Sequence, residues 1–282
     1  MDPKNVIITG ITSGIGTEIA LDLANKGFTL NLVARSHESG NKIKDHIIKS
    51  TNHDKINVYK CNLSLQSEIR EFVSDFKQNN NGLDVLINNA GIIPKDRIIT
   101  KEGIETQFAV NYIAPFLLSR LLLDLLKNST PSRIVHTSST AHESGNLNPN
   151  DFQRLNEKYA MYGWRSYFDT KLALTIDTIG LARELAGTGV TCNAVHPGLV
   201  NTNLGRYMTP KFLMPFTKLM GMFILSPRGG AEPIINVACS DELEKTTGKY
   251  FHRFKERAPK KVSNEALNSK LLEYTLNLTN LN

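Results

Sequence analysis

The sequence predicts an α/β fold with one doubly wound parallel sheet and helices on both of its faces. Two observations support this prediction. Short β-rich segments alternate with longer amphipathic segments, an order typical of parallel strands joined by crossover helices. Several β-rich segments, such as "DVLIN" at 84–88 and "RIVHT" at 133–137, are almost continuously apolar. Such runs are typical of strands that are covered on both faces.

Hydrophobic periodicity then places the individual elements. We predict strands at 4–9, 28–34, 56–60, 83–88, 132–137, 189–195 and, with a weaker pattern, 248–251. We predict helices at 14–26, 39–50, 65–78, 103–127, 157–186, 227–239 and 263–277.

The chain has 282 residues, enough for one α/β domain or two smaller ones. No internal repeat, low-complexity tract or linker divides it, so we predict a single domain over 1–282. The segment 199–226 interrupts the alternation and would follow the carboxyl end of a strand, where α/β proteins bind ligands. We predict a substrate lid there and a C-terminal extension at 252–282.

Composition restricts the function classes. The net charge is +6, but Lys and Arg are scattered and no basic run is interleaved with aromatic residues, which argues against nucleic acid as a partner. A phosphorylated small molecule and an anionic membrane surface fit the charge equally well. Three separated cysteines form no metal or disulfide pattern, so we predict no metal site.

From the first residues we expect neither a secretory leader nor an N-terminal anchor. "NVIITG" at 5–10 already has a strand pattern and runs directly into glycine-rich sequence. The longest later apolar stretch, "FLMPFTKLMGMFIL" at 212–225, is interrupted by Pro215 and Lys218 and is too short to span a bilayer. We therefore expect a cytoplasmic protein without a transmembrane segment, and peripheral membrane contact stays open.

A glycine-rich loop joins the first strand to the first helix in the pattern TGxxxGxG. Glycine permits a tight turn and close approach of the backbone to a pyrophosphate, and the helix N-terminus adds free N–H groups. This context predicts dinucleotide binding on a Rossmann-type fold rather than a plain turn. The predicted contacts here are Gly10, Ser13, Gly14, Ile15 and Gly16.

The second strand ends in "NLVARS", which places Arg35 nineteen residues after Gly16 with no acidic residue beside it. A carboxylate at this position holds the ribose hydroxyls of NAD, whereas an arginine accommodates the phosphate of NADP. Arg35 therefore favours NADP(H) over NAD(H). A solvated surface role for Arg35 is the alternative.

Four features together resemble the short-chain dehydrogenase/reductase family. They are TGxxxGxG at 9–16, "NNAG" at 88–91, "HTSS" at 136–139 and the Tyr167-x-x-x-Lys171 pair in "SYFDTKLAL". Their order matches over nearly the whole chain. The resemblance implies a doubly wound fold and nicotinamide-dependent interconversion of alcohols and carbonyls.

The resemblance also implies the catalytic residues. Tyr167 would be the general acid/base, and Lys171, one helical turn away, would lower the pKa of Tyr167 and hold the nicotinamide ribose. Ser139 would bind the substrate oxygen, with Ser138 as the alternative. The resemblance also implies that the main-chain carbonyl of Asn111 binds a water that connects Lys171 to solvent.

The sequence gives a local reason for that last role. Pro115 lies four residues after Asn111 and has no N–H to donate to the Asn111 carbonyl within a helix. That carbonyl would stay free to accept from water. An ordinary proline kink is the alternative interpretation.

Further matches imply the rest of the cofactor cradle. "HPGLVNT" at 196–202 resembles the Pro-Gly motif that covers the nicotinamide, and "KCNLS" at 60–64 supplies an asparagine where the family usually has an aspartate near the adenine. The additional cofactor-binding residues are Asn62, Leu63, Asn89, Ala90, Gly91, Pro197, Val200 and Thr202, together with Tyr167 and Lys171.

The long interval between Ser139 and Tyr167 and the tail from "TGKYFHRF" onward resemble the retinol dehydrogenase-like branch. Branch members often convert lipophilic aldehydes and alcohols with NADP(H). The lid segment is rich in Phe and Met, which indicates an apolar pocket wall, a core contact or a membrane contact.

The sequence thus predicts an NADP(H)-dependent short-chain oxidoreductase that acts on an apolar alcohol or carbonyl of the retinoid type. A catalytically silent NADP(H)-binding sensor or scaffold on the same fold is the alternative from another class. A sterol or sugar-nucleotide reductase is the enzymatic alternative. The reaction direction, the physiological substrate and a homo-oligomeric state are left open by the sequence.

Overall fold

The computed structural model describes residues 4–12, 14–159, 161–200 and 224–281. Eight strands form one sheet in the order β3-β2-β1-β4-β5-β6-β7-β8. The strands are β1 Asn5–Thr9, β2 Thr29–Ala34, β3 Ile56–Lys60, β4 Val85–Asn88, β5 Ser132–Thr137, β6 Val190–His196, β7 Tyr250–His252 and β8 Lys255–Arg257. Neighbours pair in parallel from β3 to β7, and β8 adds an antiparallel edge. The predicted doubly wound α/β fold is confirmed.

Helices connect these strands and cover both faces of the sheet. They are α1 Ile15–Asn25, α2 His37–Thr51, α3 Gln66–Asn79, α4 Thr106–Phe108, α5 Ala114–Leu121, α6 Leu123–Asn128, α7 Trp164–Glu184, α8 Pro227–Cys239 and α9 Glu265–Thr279. Within the described ranges, no helix combines the length and the apolarity that crossing a bilayer requires.

Alternate residues of the buried strands enter two separate cores. Val6 and Ile8 of β1 pack with α1, α2 and α8, whereas Ile7 packs on the opposite face with α3, α5 and α7. This division follows from the period of two in a strand, in which successive side chains point to opposite faces. Continuous apolar runs in the sequence therefore correspond to strands with a core on each side.

Two predicted helices differ from the observed ones, and one observed strand was not predicted. The helix predicted at 103–127 is divided, because a π-helical turn at Ala109–Ile113 separates α4 from α5 and Leu122 separates α5 from α6. The helix predicted at 157–186 begins only at Trp164, after Gly163 with φ 82°. The strand β8 was not predicted, because its three residues are all exposed and carry no apolar pattern.

The carboxyl ends of the parallel strands meet at one edge of the sheet. Thr9 of β1 pairs in register with Val33 of β2, and Thr137 of β5 pairs with Val195 of β6. The glycine loop and Arg35 follow β1 and β2, and "NNAG" and "HTSS" begin in the last residues of β4 and β5. The topology therefore brings these separate motifs to a single edge.

Candidate active site

The glycine loop is folded so tightly that side chains would not fit in it. Gly10 has φ +70°, and a Cβ there would lie 2.7 Å from Cα of Ala90. A Cβ on Gly16 would lie 2.1 Å from the carbonyl oxygen of Gly10. Gly14, with φ 60°, precedes the first residue of α1, Ile15. The loop thus leaves backbone and a helix N-terminus in the cradle that a pyrophosphate would occupy.

Asn89 joins the "NNAG" segment to this loop. Its Nδ2 donates to the carbonyl oxygens of Thr9 and Gly10, each at a distance of 3.2 Å. The hydroxyl of Thr9 in turn accepts from the main-chain N–H groups of Asn89 and Ala90, each at 3.0 Å. The loops after β1 and β4 therefore form one hydrogen-bonded unit.

Arg35 lies one residue beyond the end of β2 and its side chain is exposed. Ser36 follows and caps α2 by accepting from the N–H of Ser39 at 3.2 Å. Arg35 is thus at the same sheet edge as the glycine loop.

Asn62 is engaged locally. Its Oδ1 accepts from both the N–H of Ser64 at 3.2 Å and the hydroxyl of Ser64 at 2.9 Å. Both lone pairs of this oxygen are therefore used in the turn, which opposes the expectation that it accepts from an adenine amino group. Leu63 lines a crevice that also contains Ala90 and Asn111.

Asn111 lies in the π-helical turn between α4 and α5. In this turn the N–H of Ala114 donates to the carbonyl of Ala109, five residues earlier, whereas the separation in an α-helix is four. Pro115 follows and cannot donate to the Asn111 carbonyl. Such π turns are frequent at functional sites.

The buried side chain of Asn111 fixes the "NNAG" loop. Its Oδ1 accepts from the N–H of Ile92 at 2.8 Å, and its Nδ2 donates to the carbonyl of Ile92 at 3.0 Å and to Oγ1 of Thr170 at 3.3 Å. A Cβ on Gly91 would contact both Asn111 Oδ1 and Lys171 Nζ at 3.7 Å. Asn111 and Lys171 therefore meet at Gly91.

Ser139 is the serine of the "HTSS" pair that faces Tyr167. It begins the 3₁₀ turn Thr140–Ser144, and its Oγ accepts from the N–H of Ala141 at 3.1 Å. Burial raises the pKa of Tyr167 and the Ser139 side chain acts to lower it, which makes the two side chains neighbours. Ser138 instead points into the protein, where its hydroxyl bonds Thr175 Oγ1 at 2.9 Å.

Tyr167 and Lys171 share one face of α7, and both are buried. Nζ of Lys171 lies 5.6 Å from the ring centroid of Tyr167 and donates to the carbonyl of Thr137 at 2.7 Å. Trp164 packs edge-on against the Tyr167 ring, with 5.6 Å between centroids. The phenol and the ammonium are thus held side by side.

Electrostatics at the pair differ from the sequence-based expectation. Burial raises the pKa of Tyr167 to about 12, and the Ser139 side chain opposes that rise. Burial lowers the pKa of Lys171 to about 8. The expected lowering of the Tyr167 pKa by Lys171 is not observed, because desolvation of the phenolate outweighs the stabilisation that its neighbours provide.

The Pro-Gly segment follows β6. Pro197 is buried, Gly198 has φ +99°, and Val200 forms a bridge with Leu225. Val200 also packs near α8, since a Cβ on Gly230 would lie 2.5 Å from Cγ2 of Val200. Ser13, Thr202 and most of the predicted lid lie outside the described residues.

A buried ion pair beside the site was missed by sequence reasoning. The segment 146–163, in the long interval between Ser139 and Tyr167, is here called the 146–163 insert. Its Arg154 bonds Asp169 of α7 at 2.5 Å, two residues after Tyr167. Asp169 also accepts from the N–H of Asn146 at 2.6 Å. No local motif marks this pair, because the partners are fifteen residues apart on different elements.

Comparison with known proteins places the chain in a family. The short chain dehydrogenase family model matches residues 4–150. Human retinol dehydrogenase 13 is 38% identical over 261 residues, covering 91% of this chain and 78% of that protein. Human retinol dehydrogenase 12 is 37% identical over 276 residues, covering 98% and 85%.

Solved structures show the same fold. An uncharacterized protein from Mycobacterium paratuberculosis superposes with a TM-score of 0.79 at 27% identity, over 98% of this chain and 93% of the other. RhlG of Pseudomonas aeruginosa, solved as an NADP active-site complex, superposes with a TM-score of 0.70 at 22% identity, over 88% and 93%.

The chain therefore belongs to the short-chain dehydrogenase family of oxidoreductases. Within that family it is retinol dehydrogenase-like, since full-length relatives of that description match most of the chain. The resemblance drawn from the four motifs is confirmed.

Proposed function

We propose that this chain is an NADP(H)-dependent oxidoreductase that interconverts an alcohol and an aldehyde or ketone on an apolar substrate of the retinoid type. The observation that carries the proposal is the arrangement of Ser139, Tyr167 and Lys171 at the edge of the sheet that also holds the glycine loop. A retinol-type substrate is supported by the retinol dehydrogenase relatives.

A nicotinamide dinucleotide fits the residues at this edge. Side chains are excluded at Gly10 and Gly16, so the backbone can approach a pyrophosphate. Arg35 supports NADP(H), because a guanidinium pairs with a ribose phosphate that a carboxylate would repel. When bound, the cofactor supplies or accepts a hydride.

The chain's own residues would then move the proton. Tyr167, which burial keeps protonated at neutral pH, would donate its phenolic proton to the substrate oxygen during reduction. Ser139 would donate a hydrogen bond to the same oxygen. Lys171 would stabilise the resulting phenolate and hold the nicotinamide ribose, and the Asn111 carbonyl would bind the water through which the proton is replaced.

We also propose the domain roles that the sequence predicts: one domain over 1–282, a substrate lid at 199–226 and a C-terminal extension at 252–282. Leu199 and Ile224 belong to the lid segment and are exposed at 59% and 39%. Exposed apolar residues at this position support contact with an apolar substrate or with a membrane surface.

NADPH absorbance tests the function. Purified protein and NADPH are mixed with a panel of aldehydes and ketones that includes retinal, with NADH measured in parallel. We expect NADPH consumption that falls at least about 1,000-fold in Tyr167→Phe, because the proton donor is lost.

Tyr59→Phe is the matched control. Tyr59 lies in an aromatic cluster with Phe72 and Phe76, away from the site, and this variant should retain full turnover. Equal rates for wild type and Tyr167→Phe would refute the catalytic assignment. Tight NADPH binding without turnover on any carbonyl would favour the sensor or scaffold instead.

A further inference from the structure

Three polar side chains lie beside Ser139 and Tyr167 without a role in the proposed chemistry. They are His142, His196 and Tyr250, here called the His–Tyr cluster. Pairing of β6 with β7 sets Ala194 beside Tyr250 and His196 beside His252, so these residues share one face of the sheet. Val195 and Phe251 occupy the other face, in the core with α1 and α8.

The cluster is buried and adjoins the candidate catalytic serine. His142 is fully buried, Tyr250 is 2% exposed and His196 is 4% exposed. The His142 ring meets the Tyr250 ring edge-on, with 4.6 Å between centroids. Nδ1 of His142 lies 2.7 Å from the carbonyl oxygen of Ser139 itself.

Each member carries a buried polar atom without a hydrogen-bond partner among the described residues. These atoms are Nε2 of His142, Nδ1 of His196 and the phenolic oxygen of Tyr250. Native proteins pair nearly all such groups, because an unpaired buried donor or acceptor destabilises the fold. Three of them together beside a candidate site would find partners in a polar group of a bound molecule.

The chemistry of the missing partner can be derived from His142. A carbonyl oxygen only accepts, so the contact with Ser139 requires the proton of His142 on Nδ1. Burial lowers the pKa of His142, which keeps its imidazole neutral, and Nε2 is then a bare acceptor. Burial, followed by the charge of Glu143, raises the pKa of Tyr250, so its phenol keeps an O–H to donate.

An acceptor beside a donor matches a hydroxyl group, which both donates and accepts. A keto oxygen or a carboxylate cannot donate to Nε2 of His142. Tyr250 does not fill this acceptor itself, since the edge-on packing of the two rings leaves both atoms unpaired. The pair is therefore selective for one type of polar group.

We propose that His142 and Tyr250 form a subsite for a hydroxyl group of the substrate. Resting on the proposed function, this inference defines the substrate as an apolar carbonyl compound with a hydroxyl near the reacting carbon. The hydroxyl lies close to that carbon, because His142 is hydrogen-bonded to the main chain of Ser139.

Matched aldehydes test the subsite. The meta and para isomers of (hydroxymethyl)benzaldehyde are each compared with the ethylbenzaldehyde of the same shape, using NADPH. In at least one isomer we expect kcat/KM to favour the hydroxyl compound by about 10-fold or more, since a site built for a hydroxyl rejects an analogue that lacks one. Tyr250→Phe should reduce that ratio at least several-fold, and His142→Asn, which keeps a donor for the Ser139 carbonyl, should do the same.

Tyr59→Phe serves as the control and should leave the ratio unchanged. Tyr250→Phe removes only an unpaired hydroxyl, so its melting temperature should equal or exceed that of wild type. A second measurement needs no turnover. The melting temperature of the Tyr167→Phe protein with NADPH is measured with and without each probe.

The outcomes separate the two proposals. Turnover with equal kcat/KM for hydroxyl and ethyl probes in both isomers would overturn the subsite and leave the oxidoreductase assignment intact. The hydroxyl probe could instead stabilise the Tyr167→Phe protein, lose this effect when Tyr250→Phe is added, and give no turnover with wild type. That result would support the subsite and overturn the reaction. If wild type shows no turnover and the hydroxyl and ethyl probes stabilise the Tyr167→Phe protein equally, both proposals are overturned.

Discussion

Lys171 donates from Nζ to the carbonyl oxygen of Thr137 over 2.7 Å. Thr137 is the last residue of β5, so the sheet itself fixes the position of an ammonium that α7 supplies. Thr137 also contacts the glycine-loop unit, since its hydroxyl donates to Oδ1 of Asn89 at 3.4 Å. The lysine is therefore coupled through one residue to the predicted cofactor cradle.

The fall of reductive kcat/KM at alkaline pH should follow the deprotonation of Lys171. Its pKa of about 8 is lowered by burial, so the ammonium is present below that pH and is lost above it. We expect reductive kcat/KM to be level near neutral pH and to fall above about 8, because a neutral amine stabilises the Tyr167 phenolate less. Steady-state kinetics across pH measure this alkaline limb of the profile.

Lys171→Arg distinguishes this group from others. A guanidinium stays charged throughout the range, so the limb should move to higher pH even if the rate is lower. Lys127→Arg, on the exposed end of α6, should leave the profile unchanged. An identical limb in Lys171→Arg would show that another group titrates.

Arg35→Glu should reverse the cofactor preference. The exchanged charge would repel the ribose phosphate of NADPH while offering the ribose hydroxyls of NADH an acceptor. We expect the Kd for NADPH to rise by about 10- to 100-fold and the Kd for NADH to rise little or fall, as for the loss of one charge-assisted contact. Fluorescence titration of both cofactors gives these constants.

Lys127→Glu applies the same charge change far from the site. It should leave the ratio of the two Kd values as in wild type. An Arg35→Glu protein that still prefers NADPH by the wild-type factor would support the alternative that Arg35 is a solvated surface residue without a cofactor contact.

Pro115→Ala tests the carbonyl of Asn111. Alanine restores an N–H that can donate to this carbonyl and extend regular α-helix through the π turn. We expect kcat to fall by about 10-fold through loss of the water site, with a melting temperature near that of wild type. Stopped-flow and steady-state rates, with thermal unfolding alongside, measure both.

Pro227→Ala is the control, because Pro227 opens α8, where a missing N–H has no consequence. Its kcat should be unchanged. A Pro115→Ala enzyme with the wild-type kcat would indicate that Pro115 marks an ordinary kink.

Asp169→Asn should destabilise the protein through the ion pair with Arg154. Both side chains are almost fully buried, at 3% and 4% exposure, so the substitution leaves the buried guanidinium with only the half-buried Glu157 as a charged partner. We expect the free energy of unfolding to fall by about 3 kcal/mol. KM should also rise, because the 146–163 insert loses its attachment to α7 beside Tyr167.

Denaturant unfolding gives the stability change. Glu38→Gln breaks the exposed pair with Lys42 and should leave stability unchanged within error. A similarly small effect for Asp169→Asn would mean that its other contacts, such as the N–H of Asn146, hold the insert.

Several features could be predicted from local sequence alone. The glycine loop was predictable because the positive φ of Gly10 and Gly14 and the contact at Gly16 tolerate no side chain. The order of elements followed from hydrophobic periodicity, and the Tyr167–Lys171 pair followed from helical spacing. The exposed edge strand β8 lacked such a signal.

Local pattern does not record the surroundings of a group. The spacing of Tyr167 and Lys171 suggests a lowered phenol pKa, yet burial dominates and raises it. The contact of Asn62 with adenine stays a prediction, and in this structure Ser64 bonds to the Asn62 oxygen. Both properties depend on what surrounds a group, and residue type does not record that.

The sequence by itself determined the α/β order, the dinucleotide loop and the family, because each depends on residue types at short, fixed spacings. Only the tertiary structure decided that Ser139 rather than Ser138 lies beside Tyr167 and that Arg154 pairs with Asp169. It also decided that Nε2 of His142 and the Tyr250 hydroxyl have no partner within the part of the chain that the structure describes. These relationships join residues from different strands and helices. Their geometry and desolvation exist only once the sheet has brought those elements together.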